Sequence, residues 1–193
     1  MLLQRIRPHL EPILRMNQNG FRPKRSTLAQ ILTVRRLIEG IKAKNLPAVL
    51  TFVDFSKAFD SIHRGNLVKI MEAYGIPPQI INAVKILYED TEAQVLSPDG
   101  ETDFFRILAG VLQGDTLAPL LFILALDYAM RKATSNPHQT GFTLHPRRSR
   151  RNPEVIITDT DFADDIALLS DTVEKAQLLL LESKQKLNRL VFM

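Results

Sequence analysis

Apolar and polar positions alternate along the chain with periods that change from segment to segment. Over residues 26–44, "STLAQILTVRRLIEGIKAK", Leu28, Ile31, Leu32, Val34, Leu37, Ile38 and Ile41 recur at helical spacing, which predicts an amphipathic helix whose other face carries Arg35, Arg36, Lys42 and Lys44. "AVLTFVDF" (48–55) follows Pro47 as a short apolar run of β-formers, predicting a buried strand with Asp54 near its C-terminal end. Leu67, Ile70, Met71 and Tyr74 give a helix stopped by Gly75, and Pro77 and Pro78 start another through Ile80, Ile81, Val84 and Leu87. Two arms around Pro98, Asp99 and Gly100 in "EAQVLSPDGETDFFRIL" predict a hairpin, and a helix is expected from about Thr116 to Ala133. Residues 134–153, with prolines, a glycine and four arginines, predict a loop. "EVIITDTD" and "IALLSD" then flank "FADD" as two strands with Asp164 and Asp165 at their tip, and Asp171 with Glu174 resembles a capping box before a last helix.

Composition narrows the chemistry. The 193 residues are 45% hydrophobic, enough for one substantial core or two small subdomains. The formal charge of +4 and pI near 9.5 suit a polyanionic partner without requiring one. With no cysteine, disulfides and thiol nucleophiles are excluded and any metal falls to oxygen or histidine ligands, which points to a hard cation. His63, His138 and His145 show no ligand spacing. Arg5, Arg7, Pro8 and Glu11 interrupt the N-terminal apolar residues, and "LAPLLFILAL" (117–126) is about half the ~20 residues of a membrane span, so an intracellular chain, cytoplasmic or nuclear, is expected.

The acids pose the sharper question. Two unit charges ~4 Å apart repel by about 4 kcal/mol at an effective dielectric of 20, so carboxylates brought together either bind protons or bind cations. If the strand ending at Asp54 pairs beside the Asp164–Asp165 hairpin, the cluster suits Mg²⁺, which takes one or two carboxylates and completes its shell with water and phosphate oxygens. Two such ions serve phosphoryl transfer in polymerases and nucleases. The alternative reading makes Asp165 a turn residue and Asp54 a helix cap, and spacing leaves both open.

More than the acids bears on the choice. "LTFVDFSKAFDSI" (50–62), "GVLQGDTLAPLLFILALD" (110–127) and "FADDIALLSD" (162–171) resemble, in order and spacing, the catalytic motifs of reverse transcriptases, above all those of non-LTR (LINE-type) retrotransposons, and "QNGFRPKRST" (18–27) resembles their upstream fingers motif. The resemblance implies an α+β fold, a polymerase palm of antiparallel sheet with helices packed on one face: partial fingers over 1–47, palm over 48–193 with a fingers insertion at about 75–110, and no thumb. It implies RNA-directed DNA polymerase activity with an RNA template, a DNA primer and dNTPs, and two Mg²⁺ ions, with Mn²⁺ as a substitute. Asp54 and Asp164 would be metal ligands, Asp165 would support the metal site or primer end, and the Phe55 carbonyl would be an added ligand. Phe59 would form the wall beneath the incoming sugar that excludes a 2′-hydroxyl, Gln113 and Gly114 would line the nucleotide and template side, and Arg22, with Lys24 and Arg25, would meet phosphates. Phe59, Gln113 and Gly114, and Lys24 and Arg25, also have plainer readings: a core phenylalanine, a turn into a helix, a solvated cationic loop. Asp60 is expected to be structural. The "RRSRR" run (147–151) fits either phosphate contact or solvation. Two further classes stay beside the leading one: a noncatalytic nucleic-acid-binding remnant of a decayed or domesticated element, and a reverse transcriptase of the intron-encoded (group II) type.

Overall fold

A computed structural model describes residues 1–98 and 100–190 in full and the backbone of Val191. The chain forms two compact units: one from residues 1–13, 57–125 and 190–193, the other from 14–56 and 126–189.

In the first unit, α1 (Leu2–Leu10) buries Ile6 and Leu10. α3 (Arg64–Ala73) packs on α4 (Pro78–Glu89) through Leu67, Ile70, Met71, Ile81 and Val84, as their spacing requires. Two short antiparallel ladders follow: β2 (Glu92–Ala93) with β5 (Phe105–Arg106), and β3 (Leu96–Ser97) with β4 (Gly100–Glu101). The expected hairpin is present, although Asp99 of its turn lies outside the described residues. Gly110 sits so close to the Asp60 backbone that a Cβ would meet its Cα at 2.6 Å.

The second unit holds the sheet. β1 (Val49–Val53), β8 (Asp159–Phe162) and β9 (Asp165–Ser170) form an antiparallel sheet in the order β1-β9-β8. Register puts Val53, Ile166 and Asp161 on one face and Phe52, Ala167 and Thr160 on the other. The first face is closed, with Ile166, Leu168 and Ser170 buried, whereas Phe52 on the second is 73% exposed. α2 (Thr27–Ala43), capped by Ser26 Oγ accepting from Ala29 N–H, flanks this open face, and residues of both line a groove of about 650 Å³. α5 (Ala118–Ala133) begins in the first unit, ends in the second and is almost wholly buried. α7 (Val173–Val191) completes the chain, and no helix among the described residues is long and apolar enough to cross a membrane.

Three expectations change, the first being that β1, expected as a buried strand, holds no buried residue. The segment 134–153 is not all loop: it contains α6 (Pro137–Thr140) and β6 (Phe142–His145), which pairs with β7 (Val155–Ile157). Thr140 and Phe142 are buried there, so two inward-facing residues build structure that the surrounding prolines and arginines mask. The cap of α7 falls one residue later than expected, because Asp171 accepts from Thr143 N–H and pairs with Lys175 Nζ, while Thr172 Oγ1 accepts from Lys175 N–H.

Candidate active site

Asp54 follows directly on Val53, whose partner is Ile166, and is therefore level with Asp165. Neighbouring strands run ~4.8 Å apart, so these carboxylates leave adjacent strands on the same face. Asp165 also pairs with Phe162, leaving Ala163 and Asp164 as a two-residue loop with Asp164 at the tip. Asp54 and Asp165 line the groove beside α2. Among the described residues the side chains of Asp54, Asp164 and Asp165 make no hydrogen bond and no ion pair, so their oxygens are free for an external ligand.

The turn itself is built by Gln18. Ala163 has φ +55°, a value that two-residue hairpin loops normally assign to glycine. The buried Gln18 amide donates through Nε2 to Ala163 O at 3.0 Å, and its Oε1 accepts from Ala163 N–H at 2.9 Å and Gly20 N–H at 2.7 Å. Gly20 lies against the same residue: a Cβ there would overlap the Ala163 backbone nitrogen. Gln18 also forms a parallel bridge with Asp161, with Asn19 N–H donating to Asp161 O and Asp161 N–H donating to Asn17 O. The "QNG" segment thus acts as an added sheet edge that locks the loop.

Beneath it lies a buried charge cluster that sequence reasoning missed. Arg15 donates from Nη1 to Asp159 and from Nη2 to Asp161, each at 2.7 Å, and its backbone N–H reaches Asp127 Oδ1 at 2.8 Å. Arg131 pairs with Asp127 at 3.1 Å, and Asn17 and Thr158 donate to Asp159. All three acid side chains are fully buried. Burial, followed by the charge of Asp159, pushes the Asp161 carboxyl well above the usual range despite Arg15, and its Oδ1 has no partner. Burial opposes the charge on Arg15, but Asp159, Asp161 and Asp127 outweigh it and its affinity for the proton rises. The legible signal was Asp159 and Asp161 at period two on the face that also carries Ile166.

The other expected residues are placed as follows. Arg22 is buried, its Nη1 donating to Arg15 O and Gln18 O, so its guanidinium organises the 15–22 loop. Phe55 is half-buried. In the first unit, Phe59 stacks on Phe122 with centroids 4.7 Å apart and planes 13° apart. Gln113 Nε2 donates to the Asp60 carboxylate at 3.2 Å, and exposed Gly114 has φ +94°. Asp115 accepts from Leu117 N–H at 3.1 Å and from the Tyr88 hydroxyl at 2.9 Å, which fixes the turn before α5. Burial, then the bond to Asp115, raises the Tyr88 phenol above its ordinary range.

Whether the acids suit a divalent cation is a matter of donor chemistry. They offer hard, unpaired oxygens, which fits Mg²⁺, but among the described residues no three acidic or histidine groups converge on one point. A cation here would take one or two carboxylates from the protein and the rest of its shell from water and substrate.

Residues 1–192 match the family described as Reverse transcriptase (RNA-dependent DNA polymerase). The chain is 30% identical over 128 residues, 66% of its length, to the Pol polyprotein of the type-2 retrotransposable element R2DM of Drosophila melanogaster, and 28% identical over 145 residues, 75% of its length, to that of a type-1 retrotransposable element R2 of Popillia japonica. It spans 11% and 22% of those two relatives. In fold it is similar to telomerase from Candida tropicalis in complex with a fragment of telomeric RNA, with TM-score 0.67, 13% identity, and coverage of 98% of this chain and 31% of that one. The mixed helix-and-sheet architecture is therefore that of a palm-type polymerase, and the chain belongs to the reverse transcriptase family, beside the polyproteins of non-LTR R2 retrotransposons.

Proposed function

We propose that this chain carries the nucleotidyl-transfer centre of an RNA-directed DNA polymerase that adds deoxynucleotides to a primer paired with an RNA template. The observation that supports it most is the register that sets Asp54 beside Asp165, with Asp164 on a turn held by Gln18 and all three carboxylates unpaired. Asp54 and Asp164 would hold divalent ions, Mg²⁺ or Mn²⁺, with the Phe55 carbonyl as a further ligand and Asp165 in support. Such ions, when bound, stabilise charge on the attacking and leaving oxygens of an in-line displacement.

The chain's own residues orient the reactants. Phe59, its ring held flat against Phe122, is the wall under the incoming sugar that favours a deoxyribose over a ribose. Gln113 and Gly114 line the nucleotide and template side, Gly114 because a backbone without Cβ admits close approach. Arg22 contributes by shaping the loop that carries Gln18. In this reading residues 1–47 are partial fingers and 48–193 the palm with its insertion, working inside the cell.

The test is primer extension on an RNA template by this chain, or by a longer polypeptide containing it. Asp164→Asn is expected to drop extension to background with thermal unfolding unchanged. Extension at the same rate would sink the assignment.

A further inference from the structure

The β6–β7 hairpin ends in "HPRRSRRNP", a tip that the catalytic reading leaves without a task. Its root is firm: Phe142 is buried, Thr143 N–H donates to Asp171, and Ser170 Oγ donates to Thr140 O. Its end is a closed turn, in which Arg148 and Ser149 N–H donate to Asn152 O while Asn152 N–H donates to Ser149 Oγ. This turn presents Arg147, Arg148, Arg150 and Arg151, all exposed, and among the described residues none of the four side chains has a hydrogen bond or an ion pair. The nearby acid, Glu154, lies 3.8 Å from His138 instead.

The charge count isolates the tip further. The chain has 25 Lys and Arg against 21 Asp and Glu; without these four arginines it would have 21 against 21. The net positive charge of the whole chain therefore equals that of a five-residue turn. Four like charges so close repel one another, and an external polyanion relieves them.

We infer that the β6–β7 tip is a phosphate-backbone contact for nucleic acid, separate from the carboxylate site. Arginine suits the task, since its planar fork pairs bidentately with phosphate. Residues 147–151 reach at most about 14 Å, and a duplex presents one charge per ~1.7 Å of axis, so the tip spans at most about eight phosphate charges. A membrane surface fits less well, because the tip has no aromatic or aliphatic side chain to insert. The eleven residues from Glu154 to Asp164 run through β7 and β8, so the tip meets the strand run at the end opposite the catalytic turn. It would grip nucleic acid away from the reacting ends, and sequence-independently.

The test uses the whole chain with EDTA present, so that binding is read apart from catalysis and a failed polymerase assignment leaves it intact. A fluorescent RNA hairpin and a DNA duplex of matching sequence are titrated at several salt concentrations against the wild type, a variant with R147Q, R148Q, R150Q and R151Q, and a second with the same positions changed to Lys. The Gln variant is expected to unfold like the wild type and to lose about 10- to 100-fold in affinity for at least one probe, with the salt slope falling by about 3. The Lys variant should keep most of the slope. RNA lost more than DNA would identify an RNA contact, and the converse a DNA contact. Affinity within twofold and an unchanged slope for both probes would overturn the inference, as would vesicles of anionic lipid being the only probe whose binding depends on the arginines.

Discussion

Ala163 occupies a left-handed conformation that hairpin loops usually leave to glycine, and the Gln18 amide satisfies both of its backbone groups. Replacing Gln18 with Ala strands three buried groups, Ala163 N–H, Ala163 C=O and Gly20 N–H, each costing about 1–3 kcal/mol when unsatisfied. Urea unfolding of Gln18→Ala should show a loss of about 3 kcal/mol or more; a change below about 1 kcal/mol would mean that the turn holds itself. Asp161 makes a prediction in pH. Its folded pKa is raised by burial, then by Asp159, so the folded state holds a proton that the unfolded chain releases above about 4. Its contribution is complete below that value and is lost as pH rises through the folded pKa. Asp161→Asn stays neutral, and unfolding free energies measured from pH 5 to 8 should show the variant gaining on the wild type as pH rises. Parallel curves would exclude a titrating Asp161. The acids at the strand ends were legible because they interrupt apolar runs. Gln18 and Arg15 were not, because their meaning depends on partners more than 140 residues away.

At the level of elements, periodicity located α3 and α4 because each has a one-sided apolar pattern that the fold buries, while β1 and β9 stood out as short apolar runs. β6 escaped because four residues between a glycine and a proline carry no period. α2 is the instructive case: its apolar spacing gave the helix correctly, yet none of its residues is buried, and Leu28 and Ile31 are 75% and 64% exposed. Its attachment runs through Gln30, which bonds Thr160 and Asn19. A helix so exposed should respond to intrinsic propensity. Gly40 lies in its interior with open space around a would-be Cβ, so Gly40→Ala should stabilise by about 0.5–1 kcal/mol in thermal or urea unfolding. A destabilised variant would show that something packs on that face.

At the scale of the whole molecule, the compact units do not follow the order of the motifs along the chain. Residues 14–47 share a unit with the strands that carry Asp54 and Asp165, and residues 57–125 form most of another. A linear pass cannot show this, since units that interleave along the chain are defined by pairing. The "RRSRR" run was visible in the sequence, but that it sits on a closed hairpin tip was not.

Gln18 and Ala163 meet across 145 residues, and Gly20 lies directly against the same turn. During synthesis, at about 5–20 residues per second, the first segment waits roughly 7–30 s before its counterpart exists. The carboxylate site therefore cannot assemble until that turn and β9 have been made: a nascent chain broken off before residue 163 lacks the central strand that joins β1 to β8 and carries Asp165.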